Sequence, residues 1–172
     1  YCTVVSNGTA ALHLTALALG WKSRDIILTT PISFVATSNC ILYTGATPVF
    51  VDIEKDYYTI DPKKLEKTIE KYKNRIKAII ATDFAGHPCD WKSICKIVKN
   101  KKIILINDNC HAMGASIDND DCYQLKYADI VTQSFHPVKH ITTGEGGAIF
   151  TNNKSLDNSF KILRTHGIKK TF

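Results

Sequence analysis

Apolar residues along this chain switch between two periods. Short runs of strand character cover Thr3 to Val5, Asp25 to Thr29, Pro48 to Ile53, Ile76 to Thr82, Lys102 to Asn107, Asp129 to Phe135 and Ala148 to Asn152. Between most of them apolar positions recur every three or four residues, which predicts helices over Thr9 to Leu19, Phe34 to Tyr43, Pro62 to Tyr72, Trp91 to Val98 and Leu156 to Leu163. The punctuation agrees: Gly20 and Gly45 follow two of the helical stretches, Asp61 stands as N-cap before a first-turn Pro62, and Asp90 precedes Trp91. Strands alternating with helices predict an α/β fold of three layers, α-β-α, with a mainly parallel central sheet. Two runs, Ala78-Ile-Ile-Ala81 and Ile103-Ile-Leu-Ile106, are apolar throughout, as strands covered on both faces must be.

A sheet of this kind gathers ligands beyond the carboxyl ends of its strands. Asp108, His111, Ser134 and Lys139 all fall at strand ends, so they are expected to converge on one side. Lys139 offers an amine that can condense with an aldehyde, and Asp108 an anion that can keep a pyridine nitrogen protonated; pyridoxal phosphate needs both. Each has a plainer reading. Lys139 is one of nineteen lysines and suits a solvated surface, and Asp108 suits a cap on the turn that follows it. The glycines of Thr143-Gly-Glu-Gly-Gly147 suit tight backbone near the lysine, but they precede a strand and make no dinucleotide fingerprint. Ser6-Asn-Gly-Thr-Ala10 joins a strand to a helix, where free N–H groups, Gly8 and the Thr9 hydroxyl suit either a phosphate or a simple helix cap. Phe34 suits a stacking ring or a core residue.

Composition narrows the classes. The 172 residues are 44% apolar and 22% charged, which fits one soluble domain with a real core. The net charge of +6 comes from lysines spread along the chain with only three arginines, unlike the clustered basic and aromatic surface of a nucleic-acid binder. Those between Pro62 and Lys73 fit a solvated helix face, and the surplus favours an anionic small substrate. Six scattered cysteines without a C-x-x-C pair suit reduced structural thiols rather than disulfides or zinc. No apolar stretch approaches a membrane span, and a cytoplasmic protein is expected. His13 and His87 suit structural roles. Tyr1 opens directly into a strand, so the sequence is read as a piece of a longer protein.

Taken in order, Ser-Asn-Gly-Thr-Ala-Ala-Leu-His, Thr-Thr-Pro-Ile-Ser-Phe-Val-Ala-Thr, Gly-Ala-Thr-Pro-Val-Phe-Val-Asp, Asp108-Asn-Cys-His111-Ala, Ser134-Phe-His-Pro-Val-Lys139 and Gly-Glu-Gly-Gly-Ala carry a resemblance. The chain resembles the DegT/DnrJ/EryC1/StrS nucleotide-sugar aminotransferases, which have fold type I of the pyridoxal phosphate enzymes. The resemblance implies that residues 1–172 form the cofactor-bearing large domain, without the family's N-terminal segment and small C-terminal domain. It implies pyridoxal 5'-phosphate as cofactor, with Lys139 as the Schiff-base lysine and Asp108 as the partner of the pyridine nitrogen. His111 would neighbour the phenolic oxygen, Thr9, Ala10 and Ser134 would hold the phosphate, Phe34 would cover the ring, and His136 would meet the substrate. The reactants implied are an amino-acid donor, glutamate, and a UDP-linked 4-keto-6-deoxy sugar of pseudaminic acid biosynthesis, handled by a homodimer. The family's sugar dehydratases carry histidine at the lysine position, so Lys139 points to transamination. His140, where the pseudaminic acid transaminases more often have proline, and Asn107 and Asn109, where acidic and small residues are usual beside the aspartate, depart from the pattern.

Overall fold

The computed structural model describes residues 1–169. Its seven strands are β1 (Cys2–Val5), β2 (Ile26–Thr29), β3 (Thr47–Phe50), β4 (Ile76–Thr82), β5 (Ile104–Asp108), β6 (Ile130–Ser134) and β7 (Gly147–Thr151). They form one sheet in the order β1-β7-β6-β5-β4-β2-β3. β7 runs antiparallel to both β1 and β6, and every other pairing is parallel. The helices are α1 (Gly8–Ala18), α2 (Ala36–Leu42), α3 (Pro62–Tyr72), α4 (Trp91–Val98), a single turn α5 (Gln124–Tyr127) and α6 (Lys154–Arg164).

Each sheet face has its own core, which makes three layers. Leu12 and Ala16 of α1, Cys40 and Ile41 of α2 and Phe160 of α6 pack on Ile27, Ile80, Ile106 and Ile130. On the other face Leu65 and Ile69 of α3 and Trp91 and Ile94 of α4 pack on Leu28, Ile79, Leu105 and Val131. Burying side chains such as these stabilises by about 1.5–3 kcal/mol each, so the helices are held by packing rather than propensity. Their starts are capped as the sequence suggests. Asp61 accepts from the N–H groups of Lys63 and Lys64 at 2.8 and 3.2 Å, and Asp90 accepts from Ser93 at 3.0 Å. Gly20 and Gly45 end α1 and α2 at φ of 65° and 78°, backbone that glycine adopts without Cβ strain.

Departures from the sequence reading are local. α2 starts at Ala36 rather than Phe34, because Phe34 and Val35 form the turn ahead of it and accept from Thr37 and Ser38. β3 stops at Phe50, and α6 begins earlier, at Lys154, where the Asn153 side chain caps Ser155 and Leu156. α5 has no counterpart in the sequence reading. Tyr123, just before it, is wholly buried, and its hydroxyl donates to Asp83 at 2.6 Å. Asn107 and Asn109, two of the three residues named above as departing from the pattern, also turn their amides to Asp83. His13 packs edge-on against Tyr43 and His87 stacks on Tyr57, so both make structural contacts.

The antiparallel return of β7 brings Gly147 against the turn between β1 and α1. A Cβ there would lie 2.5 Å from the carbonyl carbon and oxygen of Asn7 and 2.9 Å from the carbonyl oxygen of Gln133. Backbone on both sides leaves nothing soft to yield. Gly147→Ala is therefore expected to destabilise by about 3 kcal/mol, read as a lowered midpoint in chemical denaturation. A loss under about 0.5 kcal/mol would show that the turn moves aside freely.

Candidate active site

Strand ends on one side of the sheet enclose a cavity of about 490 Å³. The β1–α1 turn gives it Gly8 and Thr9, the segment after β2 gives Ser33 and Phe34, and β4 gives Thr82. β5 ends in Asp108, followed by Cys110 and His111; β6 ends in Ser134; and the loop from β6 to β7 adds His136, Lys139 and Glu145. The four residues expected to converge, Asp108, His111, Ser134 and Lys139, all line this one space.

Asp108 is 3% exposed, and among the described residues no cation pairs with it. Its Oδ2 accepts from the Thr37 hydroxyl at 2.8 Å and its Oδ1 from the Cys110 N–H at 3.3 Å. Thr37 is in turn hydrogen-bonded to Ser33 at 2.8 Å, and Ser33 to Thr82 at 3.0 Å. Hydroxyls thus fix one carboxylate oxygen from α2 while the following turn holds the other. It caps its turn, as the plainer reading has it, and it also lines the cavity. A buried carboxylate satisfied only by neutral donors is costly, and a cationic ring nitrogen would offset that cost.

Lys139 sits half-buried in the β6–β7 loop, its N–H donating to the His136 carbonyl at 2.9 Å. Phe135 closes the base of that loop by donating to the Gly146 carbonyl at 2.8 Å, and Thr143 donates back to Phe135 at 3.0 Å. His136, exposed on the same loop, lies 3.9 Å from Glu145 through Nε2. Burial, and then the nearby Lys139 ammonium, hold the His111 imidazole below its ordinary pKa, so it is neutral at pH 7. The Cys110 thiol is pushed well up by burial and by Asp108, and Cys40 to about 12 by the same two causes. Neither is a thiolate nucleophile at neutral pH.

The turn from β1 into α1 caps its helix and leaves two N–H groups outside the cap. Asn7 Oδ1 accepts the N–H of Ala10 at 2.8 Å, so that donor is occupied, and Ala10 does not face the cavity. The N–H groups of Gly8 and Thr9, at the first two helical positions, have no carbonyl one turn earlier within the helix. A Cβ on Gly8 would stand 2.8 Å from Ser134 Cβ and 3.3 Å from Cys110 Sγ, so only glycine lets the turn approach β6 this closely. Thr9 and Ser134 add hydroxyls on either side. Phe34 is 64% exposed at the rim, which rules out the core reading and leaves its ring free to cover a flat ligand.

The profile of the DegT/DnrJ/EryC1/StrS aminotransferase family matches residues 1–172. The chain belongs to this family. It is 44% identical over 170 residues to a UDP-4-amino-4,6-dideoxy-N-acetyl-beta-L-altrosamine transaminase of Campylobacter jejuni, covering 99% of this chain and 44% of that protein. Among solved structures, PseC of Helicobacter pylori, an aminotransferase of pseudaminic acid biosynthesis, superposes with a TM-score of 0.86 at 38% identity, over 100% of this chain and 46% of that one. NtdA of Bacillus subtilis, solved with the cofactor PMP bound, superposes with a TM-score of 0.84 at 34% identity, over 94% of this chain and 35% of that one. The chain thus spans less than half the length of these relatives. In this DegT/DnrJ/EryC1/StrS chain the sequence did not single out Thr37 or Thr82 for the site. Thr37 lies 71 residues from the aspartate it orients, and its only signal is its place in the Pro31-to-Thr37 motif. Among the described residues no cluster of His, Cys, Asp or Glu suits a metal, and no helix is long and apolar enough to cross a membrane.

Proposed function

We propose that this chain is the large domain of a pyridoxal 5'-phosphate-dependent aminotransferase that moves an amino group from an amino acid, glutamate, to the 4-keto carbon of a UDP-linked 6-deoxy sugar. The observation that supports it is the pairing of Lys139 with the buried, cation-free Asp108 across one cavity. When bound, the cofactor supplies a carbonyl carbon that takes up and gives back an amine, and a protonated ring that draws electrons from the bond being broken. Asp108 would hold the proton on the ring nitrogen. Gly8, Thr9 and Ser134 would seat the phosphate with N–H and hydroxyl donors. Phe34 would cover the ring and keep water off it. His111, being neutral, can share a hydrogen bond with the phenolic oxygen without adding charge. Lys139 Nζ would hold the aldehyde end of the cofactor and, as a free amine, would take up and return a proton beside it. His136 and Glu145, which line the same cavity from this loop, would meet the sugar. Pseudaminic acid biosynthesis is read as the pathway it serves, on its likeness to the Campylobacter and Helicobacter enzymes; a cytoplasmic homodimer is the assembly proposed for the full protein.

Borohydride reduction of the full-length protein with pyridoxal phosphate, followed by peptide mass spectrometry, tests the central assignment. A single phosphopyridoxyl group on Lys139 is expected. Label spread over several of the exposed lysines, with Lys139 unmodified, would remove the basis for the reading. A panel of UDP- and GDP-linked 4-keto sugars, each offered with glutamate, then separates the UDP-sugar assignment from transfer to another nucleotide-linked sugar.

A further inference from the structure

Asp83 directly follows β4 and has no exposed surface. Its Oδ1 accepts from the Cys89 N–H at 2.8 Å and from Trp91 Nε1 at 2.9 Å. Its Oδ2 accepts from the Tyr123 hydroxyl at 2.6 Å and from the side-chain amides of Asn107 and Asn109 at 2.9 and 3.1 Å. Its own N–H donates to the carbonyl of Asp108 at 3.2 Å. One residue therefore grips three consecutive positions: the side chains on either side of Asp108 and the backbone of Asp108 itself.

Side chains alternate along a strand, so Asn107 and Asn109 point away from the cavity that Asp108 faces. A twist of the strand end that swung the Asp108 carboxylate out of the cavity would have to pull both amides off Asp83. We propose that Asp83 is the positioning residue for Asp108, fixing the direction in which its carboxylate enters the cavity; this rests on the functional reading above. Stability alone does not account for the arrangement. Apolar side chains would fill the same space without burying a carboxylate among neutral donors, and Asn107 leaves its own Oδ1 buried without a partner. What the amides add is direction, because a hydrogen bond fixes an angle where apolar contact does not.

The test compares the affinity of the full-length protein for pyridoxal phosphate with that for the analogue whose ring nitrogen is replaced by C–H. Only the nitrogen reports on Asp108, so the ratio of the two Kd values isolates its alignment from changes elsewhere in the site. The unaltered protein is expected to prefer the natural ring by roughly tenfold or more, as a charge-assisted hydrogen bond provides. In Asp83→Asn and in Asn109→Ala the preference is expected to fall toward unity. Trp91→Phe, which removes a donor to Asp83 away from the Asp108 strand, should lower the melting temperature of the apoprotein and keep the preference. Should Asp83→Asn not fold, Asn109→Ala carries the test, since Asn109 keeps its backbone N–H to the Thr132 carbonyl at 3.0 Å. An undiminished preference in Asn109→Ala, or in a folded Asp83→Asn, would overturn the assignment, whatever stability was lost. A starting protein that binds neither compound, or both equally, would instead overturn the functional reading, and this assignment with it.

Discussion

Lys139→Ala is expected to slow amine transfer by about a thousandfold or more while leaving the fold intact. The size of the loss follows from removing the proton carrier and the resting attachment together, since a positioned acid–base group alone contributes roughly 10²–10⁴. The fold should survive because the Lys139 ammonium takes part in no ion pair among the described residues, and the hydrogen bonds that shape its loop are made by backbone and by the side chains of Ser134, His136, Thr142 and Thr143. Single-turnover transfer and a thermal melt of the same preparation check both halves. If the variant transfers amine within about tenfold of the unaltered rate, the catalytic amine lies elsewhere. His140 is the neighbour that sequence alone confuses with it; it cannot take over an imine bond, so His140→Ala should cost little by comparison.

Asp108→Asn is expected to separate function from stability. Transfer should fall by roughly a hundredfold or more, because a neutral amide no longer holds a proton on the ring nitrogen. The apoprotein should be as stable as before, or more stable by about 1–2 kcal/mol, because a buried charge with no cation beside it is removed. The new amide can still meet Thr37, whose hydroxyl serves as donor or acceptor. Urea denaturation of the cofactor-free protein decides the matter. A loss of about 3 kcal/mol there would mark Asp108 as a structural cap rather than a group kept for chemistry.

Much of this could be read from the chain, and what could not shares one physical cause. Strand and helix periods, the caps at Asp61 and Asp90 and the glycine ends of α1 and α2 are local signals, carried within a few residues of the feature they set. The convergence of Asp108, Ser134 and Lys139 follows from a rule about parallel sheets, so it too was legible. Thr37 and Asp83 were not, because each acts through side chains 24 or more residues away in most of its functional contacts. α5 was hidden because its single turn sits in a polar stretch whose one deeply buried anchor, Tyr123, precedes it. Over Ser6 to Ala10 the sequence offered a cap or a phosphate seat as alternatives; the fold shows the cap, with Asn7 claiming the Ala10 donor, and leaves the two preceding amides outside it.

The reversed strand beside the site sets the terms on which its chemistry can diversify. Since β6 and β7 are antiparallel neighbours, the segment bearing Lys139 leaves and re-enters the sheet at adjacent points, pinned where Phe135 meets Gly146. Residues between those pins other than Lys139 can be exchanged, or the excursion lengthened, without displacing the β6 end or the β1–α1 turn. Apart from Lys139 itself, this excursion can therefore vary in sequence and length while the strand ends that carry Ser134 and Asp108 stay in place.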